Sequence, residues 1–501
     1  KDGYVIWDTV IEKMAENMVG KNSDRLTENE TIAIVNKAYP KVNSSNFLKD
    51  LETNMLVVKV PNYDISSGKV TSFSYRFPFQ KFSDHLLARY IFRQFHVTKK
   101  TPRQYFAKHT KLGKYLMHSW NRGLIGALMI ECPERTRGLE FLNVASYLQD
   151  HSYNIEAFVD SIVWRKPDSF ELNKNGFPEK TRRLINSLVK SSDDFYHLLN
   201  AFITIAGCPE HPLNAQFLHK WLWKYSMPKR DSLWSVFLHR QHRGETSVDR
   251  LLEWAWSKHD KSYINDKSLL LLCVTLAWFL TTSNRAVRDK ATKGLICLLT
   301  DRLDLLIRLL EIFQGVNDIY ISERLFAVAY GCSMRSYNDL TGLKNLSHWI
   351  YLKIFEKSNP PVHLLLRDYA RGVLETALVR KISLSIDENR ICPPYKNAWI
   401  DNVPSEDQLK IKYYPEKETP GSKGMWRIWF SVIGGGDFDR YIIGTNSNSC
   451  PWTGRRFGEK PVDRKSLYEK FVSSLTPEQT KLWAECDPII CEDRKEQISE
   501  S

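Results

Sequence analysis

The sequence predicts a mainly α protein: an N-terminal winged helix, then an extended helical-repeat array of HEAT or TPR type, then a small C-terminal α+β region. Three observations carry this. In "SFSYRFPFQKFSDHLLARYIF", Ser72 to Phe92, the apolar period changes from two to helical spacing. Three similar strings start at residues 284, 318 and 363, at spacings of 34 and 45 residues, around the range of stacked two-helix units. After "CPPY", where Pro393 and Pro394 end the helical run, the composition turns to short alternating segments and glycines.

Residues 1–92 form the first unit. "YVIWDTVIEKMAENM" has the pattern of an amphipathic helix. "TENETIAIVNKAY" is a second, with Thr27 and Glu30 at capping-box spacing, and "SSNFLKDLET" is a short third. The strand "MLVVKV", the turn "NYDISSG" and a strand with aromatics at Phe73, Tyr75, Phe77 and Phe79 complete a winged-helix order, with all four rings expected mainly on the buried face. Ser83 is the expected N-cap of the exit helix, with Asp84 in its positive first turn. A recognition helix at residues 46–53 sets one cation, Lys49, against Asp50 and Glu52, a poor charge balance for reading DNA.

Residues 93–265 read as a helical region. From His96 to Ile130 seven Lys/Arg and no Asp or Glu are interleaved with Tyr105, Phe106, Tyr115 and Trp120. Phe217 to Gly244 is a second such stretch. Basic residues among aromatics can track a phosphate backbone. The helical spacing of these aromatics favours packing instead, with the charges solvated. Within "HKWLWKY", Trp221 and Trp223 point about 200° apart on a helix, while Lys220 and Lys224 share one face. Lys220, Trp221, Trp223, Lys224, Tyr225, Lys229 and Arg230 are the candidate partner-binding residues, since aromatic and basic side chains together are the composition of interface anchors.

Residues 266–390 carry the repeats. Val287-Arg288-Asp289 matches Leu366-Arg367-Asp368, and Ala291 matches Ala370; the middle string has Ser322-Glu323 instead. Stacked antiparallel pairs should bury Leu295, Leu299, Leu325, Ala329 and Ala370, and the Arg–Asp pairs should bond between successive units. In residues 391–501, "QLKIKYY" and "MWRIWFSVIG" alternate like strands, and a last helix covers "SLYEKFVSSL". Gly434–Gly436 lacks both the GK[ST] ending of a P-loop and the GxGxxG spacing, so it reads as a turn.

The net charge of +13 favours acidic partners, either nucleic acid or an acidic protein surface. Nine scattered cysteines without a CxxC read as free thiols in a reducing compartment, and no metal-ligand set has the required spacing. HExxH, GxSxG and GxxxxGK[ST] are all absent, which argues against the enzyme classes they mark.

"FSYRFPFQKFSDHLLARYI" resembles the end of the winged helix in STAND-type NTPases, the NACHT and related families. Phe82, Asp84, Leu86 and Ala88 fit its pattern, while the position of the family's histidine holds Phe79. "LNAQFLHKWLWKYSMPKRDSLWSVFLH", "VNDIYISERLFAVAYGCSMRS", "PPVHLLLRDYARGVLETAL" and "DFDRYIIGTNS" are similar to the C-terminal region of bacterial antiviral STAND NTPases, the Avs (AVAST) group, over most of residues 70–450. The resemblance implies a cytoplasmic sensor that recognises a conserved phage protein, large terminase or portal, and so drives assembly, as a tetramer, and effector activation. It implies ATP and Mg for the full-length protein and no cofactor, metal or catalytic residue in this chain. It also implies that the chain starts after the NTPase core, since "VGKNS", Val19–Ser23, lacks the upstream Gly of a P-loop. The alternative reading is a nucleic-acid-binding helical scaffold.

Overall fold

The computed structural model describes residues 5–395 except 65, 243, 358 and 359, and then 404–414, 422–432, 438 and 464–485. The chain divides into two compact units, 1–399 and 400–501. Among the described residues the fold is mainly helical with one small sheet.

A π turn, Trp7–Ile11, runs into helix α1 (Glu12–Lys21), which buries Met14, Ala15 and Met18. Strand β1 (Leu26–Thr27) leads into α2 (Glu28–Ala38), and the expected capping box is formed by Thr27 and Glu30. Asn43 caps α3 (Ser44–Thr53) by accepting from the amides of Ser45 and Asn46. Strands β2 (Val58–Tyr63) and β3 (Val70–Arg76) form the wing, and β1 joins the free edge of β3 in the antiparallel order β1-β3-β2.

The expectation for the four rings holds for two of them. Tyr75 and Phe77 are buried, whereas Phe73 is 38% and Phe79 62% exposed. The strand ends at Arg76, and Pro78 takes the chain out of the ladder. Phe73 lies outward beneath the Lys59 ammonium, 4.5 Å from its ring centre. The exit helix α4 (Gln80–Val97) therefore begins at Gln80 with Phe79 as N-cap, not at Ser83. The Ser83 amide already donates to Phe79 O at 2.9 Å. Asp84 is buried rather than placed at a solvated first turn. One of its oxygens accepts from the Gln80 amide at 3.1 Å and the other lies over Gly123.

From α4 the helices form a row in which each packs on the next: α5 (Arg122–Arg135), α6 (Ser152–Trp164), α8 (Ser192–Ile205), α10 (Ser247–Trp256), α12 (Arg285–Leu299), α14 (Ile319–Arg335) and α16 (Leu364–Val379). The helix α7 (Glu179–Leu188) lies between α6 and α8 in the chain. A second row, α9 (Ala215–Trp223), α11 (Asp266–Phe279), α13 (Leu303–Ile312) and α15 (Leu340–Ile350), packs beside the first. The two-row stack thus begins ahead of residue 266.

The three repeat strings fall on α12, α14 and α16, equivalent helices of one row. Leu295, Leu299, Leu325, Ala329 and Ala370 are buried. Each string contributes a glycine at a helix crossing: a Cβ on Gly294 would meet the Ala255 methyl at 2.9 Å, and one on Gly372 the Tyr330 ring at 2.7 Å. Between units, Arg324 reaches back to Asp289 at 3.3 Å, and His363 lies 3.4 Å from Glu323. Asp368 departs from the expected ladder and pairs with Arg371 in its own helix at 3.0 Å.

The basic stretch after His96 packs as helical spacing implies: Phe106 is fully buried and Tyr105 and Tyr115 are half-buried. Only Trp120 stands out, stacked on His118 at 4.3 Å.

In the second unit the two segments expected as strands are helices, Glu406–Tyr413 and Ser422–Val432. Ser405 and Gln408 form a capping box that fixes the first of them. The expected last helix is present as Arg464–Ser474. The triple glycine, 434–436, lies outside the described residues. Among the described residues no helix is long and apolar enough to cross a membrane.

Candidate protein-binding groove

Helix α9 is the first of the second row, so one of its flanks has no row neighbour. The chain builds it from Asn214, whose side chain accepts from the Gln216 amide at 2.9 Å, and from Leu218 and Leu222, both fully buried one turn apart. On the open flank lies a groove of about 690 Å³ between α7, α8 and α9. That volume is within the range of roughly 300–1,000 Å³ seen for ligand clefts.

The groove is walled by rings. Phe217 contacts Phe202 at 5.5 Å and Phe177 at 6.5 Å. Trp221 packs on Phe195 at 6.0 Å and meets the edge of Tyr225 at 5.3 Å. Lys220 and Lys224 are exposed on its rim. Their ammonium groups lie over Phe177 at 5.2 Å and over Tyr225 at 5.5 Å, and among the described residues neither has a carboxylate in ion-pair reach. The groove's carboxylate, Glu179, is already held by Arg182 at 2.9 Å and Arg183 at 3.0 Å, and those hydrogen bonds lower its pKa. The local field is therefore positive over an aromatic floor.

Four of the seven candidate residues, Lys220, Trp221, Lys224 and Tyr225, line this groove. Trp223 points the other way, as the helical angle requires, and packs half-buried against His219 at 5.2 Å. Lys229 is exposed on the short turn Met227–Arg230, apart from the groove lining. Arg230 corrects the expectation: it is fully buried. Its guanidinium donates to Asn317 Oδ1 at 2.7 Å and Asp318 Oδ2 at 3.1 Å, and it rests on the Trp278 ring. A side chain so held is closed to a partner.

His219, the first residue of "HKWLWKY", is half-buried and packs against Trp278 and Phe313. Its Nδ1 accepts from the Trp278 indole at 3.1 Å. Burial and the nearby Lys220 hold its pKa at about 4, so it is neutral at pH 7. A second groove, about 750 Å³, lies on the other side of α9 against α11 and α13, and Lys220 borders it too, with Lys267 and Arg308. The sequence reading missed Phe177, Phe195 and Arg182. They come from α7, α8 and a connecting turn, and no local pattern ties them to α9.

Comparison with protein-family models, curated proteins and solved structures finds no match to this chain.

Proposed function

We propose that this chain is the winged-helix and sensor portion of an antiphage STAND NTPase of the Avs type, and that it recognises a folded phage protein, large terminase or portal. Recognition leads to tetramer assembly and effector activation in the full-length cytoplasmic protein, whose NTPase core binds ATP and Mg. This chain contributes binding and not catalysis.

The observation that carries the reading is the unpaired aromatic–basic flank of α9 at the head of a two-row helical stack. Stacked helix pairs present long surfaces suited to a protein partner. Partly buried Trp and Tyr beside cations are the residue types that dominate binding energy at such surfaces. The similarity of the strings around 213–239, 316–336 and 360–378 to the Avs sensor region names the class.

The test is to combine full-length protein with purified large terminase or portal and follow ATP hydrolysis and assembly. One of the two should raise both. Failure of both proteins to change either would overturn the reading.

A further inference from the structure

We infer that the groove beside α9 receives an acidic segment of the partner carrying one aromatic or leucine anchor. The inference rests on the proposed function for the partner's identity, and on the groove alone for its chemistry.

Two properties of the lining set the occupant. First, its rings are in place but incompletely covered. Phe177, Phe217, Trp221 and Tyr225 are all half-buried, so each retains apolar surface that an inserted side chain would remove from water. Second, its charge is unbalanced. Lys220 and Lys224 sit one helical turn apart on one face, a like-charge pair that costs a little in the free chain. Neither is neutralised among the described residues, and each rests on a ring. A carboxylate arriving above them relieves the repulsion and finds two donors. On the opposite wall Arg182 and Arg183 share the one carboxylate of Glu179, which leaves that wall net positive.

A cationic partner would meet this field unfavourably. A nucleic-acid strand would need a continued track of phosphate contacts, and the lining offers a local cluster of cations, Lys220, Lys224 and Arg182, set among rings. An acidic peptide with a single large apolar residue meets both demands at once.

The probe is a fluorescein-labelled peptide, Asp-Glu-Asp-Trp-Glu-Asp-Glu, read by anisotropy against the whole chain. Two controls are used, one with Ser for Trp, and one with Lys for the acids. Saturable binding is expected for the probe and for neither control. Lys220→Glu combined with Lys224→Glu should weaken it at least tenfold. Both side chains are exposed, so the fold should persist by circular dichroism. Trp221→Ala should weaken it about fivefold, and Trp221→Phe should restore most of the loss, which separates a binding role from a structural one. Absence of saturable probe binding, unchanged affinity in the charge reversal, or equal binding of the basic control would overturn the inference. So would binding of oligo-dT that the same variants abolish, which would give the groove to nucleic acid. Concentration-dependent self-association lost in those variants would give it to a second copy. Peptide binding without any response of the full-length protein to terminase or portal would remove the functional reading and leave the groove chemistry standing. The converse result would do the reverse.

Discussion

Replacing Arg230 should destabilise the stack, since the side chain is closed to a partner. The side chain is fully buried, and Asn317 and Asp318, which accept its two hydrogen bonds, come from a segment 87 to 88 residues away in sequence. Asp318 is itself buried and also caps α14 by accepting from the Tyr320 amide at 3.1 Å. Arg230→Ala removes the cation and strands the carboxylate in the interior. Breaking one side of a buried pair costs about 3–5 kcal/mol, because the remaining charge has lost both water and partner. Asp318→Asn keeps an N-cap but strands the guanidinium, at similar cost. Arg230→Met with Asp318→Asn removes both charges and keeps the aliphatic stem. It should cost less than either single change, giving a coupling energy of roughly 2–3 kcal/mol. Urea unfolding of the four proteins, followed by tryptophan fluorescence, supplies the cycle. A loss under about 1 kcal/mol for Arg230→Ala, or strict additivity in the double variant, would refute the reasoning.

Three further outcomes follow from the same geometry. Gly294→Ala brings two methyl groups to 2.9 Å between α12 and α10, so one helix must shift; a loss of about 1–3 kcal/mol in urea is expected, and a neutral result would mean the crossing is loose. Burial raises the Asp84 pKa to about 6, against the Gln80 hydrogen bond and His85. Between about pH 4 and 6 the folded form holds this proton and the unfolded form does not, so its contribution to stability falls as pH rises through that window. Asp84→Asn should therefore be more stable than wild type at pH 8, by about 3 kcal/mol or less, with the gain shrinking toward pH 4; equal stability at pH 8 would count against it. His219 has the opposite sign. The unfolded chain takes its proton below about pH 6.5 and the folded chain only near 4, so stability is lost on acidification across that span. His219→Gln, which keeps an acceptor for the Trp278 indole, should flatten that part of the pH profile.

What was legible in the sequence is local or periodic. The Thr27–Glu30 capping box needs only three-residue spacing, and it forms. The strings at 284, 318 and 363 share a pattern because they do one job, stacking in one row with a glycine at each crossing. The misses have identifiable causes. "QLKIKYY" offers Leu409, Ile411 and Tyr413 at period two, but seven residues are too few to decide between a strand and a helix; the Ser405–Gln408 box, which was there to be read, decides it. Ser83 looks like a cap, yet the chain turns helical three residues earlier, once Pro78 has left the sheet. Arg230 sits in a basic string, and nothing near it reveals Asp318. The groove is half legible for the same reason. Lys220, Trp221, Lys224 and Tyr225 share a helical face, whereas Phe177 and Phe195 arrive only through the packing of α7 and α8.

The central claim is that this chain recognises a folded phage protein, with the α9 flank in the interface. The most direct measurement is binding of the chain to purified large terminase and portal, by biolayer interferometry, over a salt series. Saturable binding to one of them is expected, with a salt dependence shallower than that for double-stranded DNA, and weakened at least tenfold by charge reversal at Lys220 and Lys224. Binding to neither, or a steep salt dependence matched by double-stranded DNA, would contradict it.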